Sequence, residues 1–219
     1  MNVVAVVNTK GGVGKTTITS ALAVRAVQDG NRVVMIDLDP QHSLHEWWKR
    51  RGQPDNPRVI ADVDTASAGL DAIKGDAATW VFIDTPPAFL TVIEDAVSAA
   101  TFNLIPVKTS VGDLQATEDA VVLCQNAGSA FAVVINDVVH TDMKFAESTE
   151  AILRKASIPV CKTVLGHRGS HIAAATVGKT AAEVNGGKDT KAVDEVDALW
   201  REVKAAVRKA AKALENANG

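Results

Sequence analysis

The chain alternates between short apolar runs and longer stretches that mix apolar and polar positions. The apolar runs are rich in β-branched residues and fall at Val3–Val7, Arg32–Ile36, Trp80–Ile83, Phe102–Val107 and Phe131–Ile135. Runs of this length are typical of strands that are buried on both faces. The stretches between them, such as Thr16–Gln28 and Asp113–Asn126, have helical composition. This alternation predicts an α/β fold: a mostly parallel, doubly wound sheet with helices on both faces.

The length and composition predict one folded domain. Of the 219 residues, 47% are apolar and 22% are charged, which is typical of a globular chain with a sizeable core. No internal repeat or low-complexity segment divides the sequence. The most irregular segment, Gly52–Arg58, contains Pro54 and Pro57 but is too short to separate two domains. We therefore predict a single domain over residues 1–219.

The charge and the cysteines narrow the possible partners and the compartment. With a net charge of −3, the chain has no global positive field, so nucleic acid would have to bind at a local basic patch. Cys124 and Cys161 are too few and too far apart for a disulfide scaffold or a four-cysteine zinc site. Val3–Val7 is too short for the core of a signal peptide, and no apolar run approaches the roughly 18 residues that span a bilayer. These features predict a soluble, cytoplasmic protein with both thiols buried.

A glycine-rich segment with two lysines lies between the first predicted strand and the first predicted helix. It reads Lys10-Gly11-Gly12-Val13-Gly14-Lys15-Thr16-Thr17. Glycines allow backbone N–H groups to converge on phosphate oxygens, and the N-terminus of the following helix adds its dipole. We expect Lys15 to reach the β- and γ-phosphates and the Thr16 hydroxyl to ligate Mg²⁺. The strict pattern G-x-x-x-x-G-K-[ST] is not met, because Asn8 or Thr9 stands near the place of its first glycine.

Lys10 makes this segment more specific than a general phosphate loop. Headed by this lysine, the segment is a deviant Walker A signature, K-G-G-x-G-K-[ST], and the sequence resembles the ParA/MinD family of P-loop ATPases. The resemblance implies that Lys10 crosses a dimer interface to the phosphates of the partner's ATP, where a cation neutralises charge on the transferred phosphoryl group. The alternatives are a solvated surface lysine and a glycine-rich turn that only opens a helix. The implied ATP-binding residues of the loop are Gly11, Gly12, Val13, Gly14, Lys15, Thr16 and Thr17.

Acidic side chains follow two of the predicted strands. Asp37 and Asp39 belong to a D-x-D-P-Q segment after the second strand, and Asp84 ends a later strand. Carboxylates at the carboxyl ends of parallel strands face the ligand crevice, and beside a triphosphate they hold Mg²⁺, usually through water. The resemblance implies that Asp84 is the Walker B aspartate and that Asp39 orients the attacking water. The resemblance also places Asp37 near the metal, together with Thr16. The alternative for each of these aspartates is a strand-end cap, which would be the simpler interpretation if the aspartate stood alone.

The resemblance continues beyond these motifs. Leu104–Val107, followed by Asp113-Leu114, is similar to the family's fourth-strand segment, and Asn136 ends a strand like the one whose asparagine recognises adenine. Arg168 lies in a segment similar to one in which a basic residue contributes to DNA binding. The similarity is strong over Val3–Gln41 and at Asp84–Pro87, and loose after Asn136. The chain begins directly at the first predicted strand, so it is most similar to the short ParA partition ATPases.

The last predicted helix, Val193–Leu214, is amphipathic. Its apolar face carries Val196, Leu199, Trp200, Val203, Val207 and Leu214. Its opposite face carries a basic stripe of Arg201, Lys204, Arg208 and Lys212. Three interpretations compete: a helix that only docks on the sheet, a stripe that with Arg168 contacts DNA phosphates without reading sequence, and a membrane helix like that of MinD. We favour DNA over membrane, because the apolar face is needed to cover the core.

The resemblance therefore implies a Mg²⁺-dependent P-loop ATPase that hydrolyses ATP to ADP and phosphate. We expect ATP to bridge two protomers into a homodimer that binds DNA nonspecifically and associates with the nucleoid. A ParB-like or adaptor protein would stimulate hydrolysis, so that the cycle segregates or positions a plasmid, a chromosome or a protein cargo. The alternatives are a MinD-like positioning ATPase at a membrane, a metabolic P-loop enzyme, and a scaffold that binds nucleotide without hydrolysis.

Overall fold

The computed structural model describes residues 1–109, 111–184, 186 and 188–218, apart from the side chains of residues 111–114, 116, 217 and 218. Asp113 and Leu114, quoted above for their resemblance, therefore have no described side chains. Within the described residues, the strands form one parallel sheet in the order β3-β2-β4-β1-β5-β6-β7. The strands are β1 (Asn2–Val6), β2 (Val33–Asp37), β3 (Arg58–Ile60), β4 (Trp80–Asp84), β5 (Phe102–Val107), β6 (Phe131–Val138) and β7 (Val160–Gly166).

Helices follow the strands and cover both faces of this sheet, which confirms the predicted α/β class. They are α1 (Lys15–Gln28), α2 (Ser43–Arg50), α3 (Ala66–Asp71), α4 (Leu90–Ala99), α5 (Val111–Asn126), α6 (Met143–Lys155), α7 (Gly169–Ala175) and α8 (Thr190–Asn218). Short 3₁₀ turns lie at His140–Asp142 and Ala181–Glu183.

The core has two layers because successive side chains of a strand point to opposite faces. In β1, Val4 and Val6 pack with α1, α2 and α8 in one layer. Val3 and Ala5 pack with α4, α5 and α6 in the other layer. Trp200 of α8 is fully buried in the first layer, so the apolar face of the last helix does cover the sheet, as predicted.

The central position of β1 determines where a ligand can bind. β1 lies between β4 and β5, with β2, β3 and β4 on one side and β5, β6 and β7 on the other, so the chain crosses from one half of the sheet to the other here. In open parallel sheets, ligands bind outside the carboxyl ends of the strands at such a switch point. The register places Val6, Asp84 and Asp37 side by side at this edge. The loop from β1 to α1 therefore emerges next to both aspartates.

Several sequence predictions need correction. The segment predicted as irregular, Gly52–Arg58, has no helix or strand up to residue 57, but its last residue begins β3, which was not predicted. β7 was not predicted either. The last helix is longer than predicted, and Leu214, which was assigned to its apolar face, is 57% exposed. The predicted burial of Cys124 and Cys161 is confirmed. No helix among the described residues is both long enough and apolar enough to cross a membrane.

Candidate functional site

The glycine-rich loop between β1 and α1 is held close to the end of β6. Gly14 has a φ of 96°, a left-handed conformation that favours glycine. A Cβ at this position would lie 2.3 Å from Asn136 Nδ2. The same Nδ2 donates to the carbonyl oxygen of Val13 at 2.7 Å. Asn136 therefore lies against the phosphate loop, which is compatible with its predicted contact to the nucleotide.

Lys15 is the first residue of α1, and it is buried. Its Nζ donates to the carbonyl oxygen of Lys10 at 3.0 Å, which folds the loop around the ammonium group. Burial lowers the pKa of Lys15, while Asp84 and Asp39 act in the opposite direction. Burial removes water from the Lys15 ammonium group, and the negative charge of a bound triphosphate would compensate for this loss.

Thr16 and Asp84 meet at the carboxyl end of β4. The Thr16 hydroxyl donates to Asp84 Oδ2 at 2.6 Å, whereas the buried Oδ1 accepts no hydrogen bond from the described residues. Burial raises the pKa of Asp84 to about 7, against the hydrogen bond from Thr16, which lowers it. A buried carboxylate oxygen without a partner is costly unless a ligand satisfies it. The pair therefore fits the oxygen ligands and the polarity of a Mg²⁺ site.

Asp37 lies beside Asp84 but is already engaged with the backbone. Its Oδ1 accepts the N–H of Asp39 at 3.1 Å, and its Oδ2 accepts the N–H of His45 at 2.9 Å. Burial raises the pKa of Asp37, and these backbone hydrogen bonds lower it. Asp37 thus organises the turn into α2. Each carboxylate oxygen keeps a second lone pair, so a water-mediated metal contact is compatible with these bonds.

Asp39 faces a separate cleft of about 420 Å³. Its Oδ1 accepts the N–H of Gln41 at 2.9 Å, so the side chain closes a turn within the D-x-D-P-Q segment. The cleft is acidic on one side, where Asp37, Asp39, Asp62 and Asp64 line it. Lys10 is half-buried at the head of the phosphate loop, and its N–H donates to Asn8 Oδ1 at 2.8 Å. Its reach across a dimer interface stays a prediction.

A larger cavity of about 740 Å³ begins at the phosphate loop, and its volume suits a nucleotide-sized ligand. Gly12, Gly14 and Thr17 line its loop end. The rest of the wall comes from the ends of β5, β6 and β7, from α7 and from the end of α2. The lining residues beyond the loop include Arg50, Lys108, Asn136, Asp137, His167, Arg168 and His171.

Three of these lining residues, which the sequence analysis did not select, form an ion-pair cluster. Lys108 Nζ lies 2.6 Å from Asp137 Oδ2, and His167 Nδ1 lies 2.6 Å from Asp137 Oδ1. Burial raises the pKa of Asp137, but the hydrogen bonds from Lys108 and His167 together outweigh it and leave the pKa lowered. Each of these residues lies at or just after the end of a strand. The same feature of the sequence predicted Asp37 and Asp84 as site residues.

The predicted DNA-binding residues separate into two groups. Arg168 pairs with Glu195, and Lys204 pairs with Asp29 at 2.6 Å while its Nζ lies 5.2 Å from the centre of the Trp200 ring. These two cations are engaged within the chain, and Arg168 also lines the large cavity. The other predicted cations are exposed on α8: Arg201, Arg208 and Lys212. Lys209, which was not among the predicted DNA-binding residues, is exposed there too.

Comparisons with known proteins identify related sequences. A family model described as the CobQ/CobB/MinD/ParA nucleotide binding domain matches residues 4–190. The maintenance of carboxysome distribution protein A of Gloeobacter kilaueensis is 30% identical over 91% of this chain and 95% of its own length. Its counterpart from Halothiobacillus neapolitanus is 26% identical over 91% of this chain and 94% of its own length.

A solved structure supports the fold. The MinD cell division protein of Aquifex aeolicus superposes with a TM-score of 0.77 and covers 94% of this chain and 98% of its own. At 15% sequence identity, this match shows a shared architecture.

Proposed function

The chain belongs to the CobQ/CobB/MinD/ParA nucleotide-binding family, and from this we propose that it is a ParA-like ATPase that positions a large cargo on DNA. ATP binding produces a homodimer, the dimer binds DNA without reading its sequence, and a partner protein stimulates hydrolysis and releases it. One ATPase domain over residues 1–219 performs the cycle. The ATP-bound form associates with the nucleoid.

ATP and Mg²⁺ are the cofactors, as predicted. The part of the structure that supports them most directly is the geometry around Asp84. Lys15 and the backbone of the phosphate loop hold the phosphates, while Thr16 and Asp84 hold the metal, with Asp37 beside them. The main support is the buried Asp84 Oδ1, which no described residue satisfies. When bound, Mg²⁺ supplies positive charge at the phosphate oxygens.

Lys10 and Asp39 carry the catalytic proposal. Lys10 of each protomer contacts the phosphates bound by the other, which makes hydrolysis depend on dimerisation. Asp39 orients the attacking water from the side of the acidic cleft. Water orientation by a carboxylate requires precise placement, and here a turn held by hydrogen bonds from the N–H groups of Asp39, Gln41 and His42 sets where the Asp39 carboxylate lies. A partner protein that stabilises this turn would raise the hydrolysis rate.

The charge distribution along α8 supports DNA binding. Three of the four acidic side chains in its first half bind the rest of the chain: Glu195 pairs with Arg168, Asp197 with Arg25, and Glu202 accepts the N–H of Lys162. Residues 203–214 then contain four cations and no carboxylate, and three of these cations, Arg208, Lys209 and Lys212, are exposed, while Lys204 pairs with Asp29. Such a segment can neutralise phosphates even though the whole chain is acidic.

The cargo and the partner are suggested by the relatives. The two carboxysome distribution proteins align over nearly their whole length, which favours a protein assembly over a plasmid or chromosome as cargo. The partner is then an adaptor protein on that assembly. Membrane binding by α8 is disfavoured, because Leu199, Trp200 and Val203 of its apolar face are buried in the core.

The first experiment is a gel shift with random-sequence duplex DNA and ATP, ADP or no nucleotide. Lys15→Ala is the matched control, since it removes the buried cation of the phosphate loop. We expect a shift only with ATP, and none with the variant. If the wild-type chain binds ATP but shifts no DNA, the DNA-binding proposal is wrong, and binding to liposomes then tests the membrane alternative.

A further inference from the structure

The Lys108–Asp137–His167 cluster has no role in the proposed hydrolysis. It combines residues from the carboxyl ends of β5, β6 and β7, so it ties three neighbouring strands together. Each oxygen of the Asp137 carboxylate contacts one cationic or N–H group, at 2.6 Å in both cases. All three side chains are partly exposed, and they line the large cavity. The cluster therefore faces whatever occupies that cavity.

The backbone at Asp137 is shaped to present its side chain there. Asp137 has a φ of 62°, which non-glycine residues rarely adopt. The pairing of β6 with β7 shifts register between Ile135 and Val138, on either side of this residue. Irregularities of this kind re-aim a side chain next to a binding site. The N–H of His167 donates to the carbonyl oxygen of Val138 at 2.8 Å, which fixes the third member of the cluster.

The cluster lies at the nucleoside end of the cavity. The phosphate loop fixes the phosphates at Gly12 and Gly14, so the nucleoside must occupy the part lined by β6 and β7. Asn136 is the neighbouring polar residue, and its Nδ2 already donates to Val13. An amide offers both a donor and an acceptor, so Asn136 alone does not distinguish adenine from guanine.

We propose that Lys108 and His167 make the site selective for adenine over guanine by occupying the Asp137 carboxylate. This inference rests on the proposed nucleotide-binding function. Guanine presents two adjacent donors, N1–H and the 2-amino group, which pair with the two oxygens of a free carboxylate; adenine presents one donor beside an acceptor. With Lys108 and His167 each on one Asp137 oxygen, the guanine donors would have to approach the remaining lone pairs beside two groups that already donate there, so donor faces donor.

The experiment compares ATP and GTP affinities by calorimetry for the wild-type chain and two variants. Lys108→Met removes the ammonium group but keeps most of the side-chain volume, and it frees Asp137 Oδ2. We expect the ratio of GTP affinity to ATP affinity to rise about tenfold, since one guanine donor then gains a hydrogen bond to a charged oxygen. Lys162→Met, which removes an exposed lysine of β7, is the matched control and should leave the ratio unchanged.

A second substitution tests whether the carboxylate is responsible. Adding Asp137→Asn to Lys108→Met removes the freed anion, and we expect the ratio to return toward the wild-type value. His167→Phe frees the other oxygen, so it should shift the ratio in the same direction as Lys108→Met. Thermal unfolding of each variant verifies that it is folded.

The outcomes separate this inference from the proposed function. If the folded Lys108→Met and His167→Phe variants bind ATP and the ratio stays at the wild-type value, the inference is wrong while nucleotide binding stands. If Asp137→Asn fails to reverse the shift, the selectivity does not depend on the carboxylate and the inference is also overturned. Failure of the wild-type chain to bind ATP would overturn both.

Discussion

At the scale of single residues, Asp39 is placed to affect turnover more than binding. It lines the acidic cleft and takes no part in the bond between Thr16 and Asp84. We expect Asp39→Ala to keep ATP-dependent dimerisation but to lower hydrolysis by at least about 100-fold, because positioned groups of this kind contribute roughly 10²–10⁴-fold. Phosphate release in the presence of DNA measures turnover, and size-exclusion chromatography with ATP measures the dimer.

The same cleft offers a matched control for Asp39. Asp62 also lines it, and its side chain is 86% exposed. We expect Asp62→Ala to remove the same charge from the cleft and to leave turnover within about twofold of the wild-type rate, since surface substitutions away from special features have small effects. Normal hydrolysis by Asp39→Ala would show that another residue orients the water.

Asp84 should make the stability of the nucleotide-free chain depend on pH. Its pKa is raised by burial from 3.8 to about 7, so the folded chain retains a proton that the unfolded chain has lost. Between about pH 4 and pH 7 the free energy of unfolding should therefore fall as the pH rises, and above this window the contribution is flat. Urea unfolding from pH 5 to pH 8 measures the effect.

Asp84→Asn isolates this contribution. The amide keeps the size of the side chain but does not ionise, so we expect the variant to gain stability relative to wild type as the pH rises from 5 to 8. The gain should be on the order of a few kcal/mol, since one pKa unit corresponds to about 1.4 kcal/mol. A stability difference that is equal at pH 5 and pH 8 would mean that Asp84 titrates normally in the folded chain.

The sequence predicted some site residues and missed others for one physical reason. Lys15, Thr16 and the other loop residues are neighbours along the chain, so a local pattern places them together. Asp84 joins them because strand ends converge at one edge of a parallel sheet. Lys108, Asp137 and His167 meet only through the pairing of three strands and an irregular register, which no local pattern contains.

At the scale of secondary-structure elements, Gly178 determines how α2 packs on the segment after α7. It has a φ of 67°, and a Cβ there would lie 2.2 Å from the backbone nitrogen of Arg51. Arg51 in turn donates to the carbonyl oxygen of Gly178 at 3.1 Å. We expect Gly178→Ala to lower the free energy of unfolding by roughly 2 kcal/mol or more, because it adds a backbone clash to a strained φ. Urea unfolding measures this loss.

Gly128 provides the control for backbone strain alone. Its φ of 61° is similar, but a Cβ there would meet no heavy atom within 4 Å. We expect Gly128→Ala to cost about 1 kcal/mol, the lower end of the strain range. Equal losses for the two variants would show that the packing between Gly178 and Arg51 is not tight in solution.

The missed strands are the two at the edges of the sheet. β3 has three residues and β7 is only partly buried, so neither has the continuous apolar run that marks β1, β2 and β4. Edge strands pair on one side only, and their sequences carry a weaker signal. The strand order could not be predicted from the sequence either, because the local hydrophobic pattern does not show which distant segments pair.

At the scale of the whole molecule, the net charge of −3 and DNA binding are compatible only if the cations are segregated. Residues 203–214 meet this condition, and in the proposed dimer two copies would double the number of phosphates that can be neutralised. Nonspecific binding of this kind weakens with salt. The logarithm of the binding constant falls linearly with the logarithm of the salt concentration, with a slope of about −0.9 for each phosphate neutralised. The salt dependence of DNA binding therefore measures how many phosphates α8 neutralises.

The combined variant Arg208→Ala/Lys212→Ala tests this role of α8. It removes two exposed cations from the helix, so DNA binding with ATP should weaken for every DNA sequence, and the salt slope should become shallower by about 0.9 for each phosphate that is no longer neutralised. Lys144→Ala/Lys155→Ala removes the same charge from α6 on the other face of the sheet, and we expect the slope to stay unchanged. Fluorescence anisotropy from about 50 to 200 mM salt gives both slopes. Equal slopes for the two variants would show that the DNA-binding surface does not lie on α8.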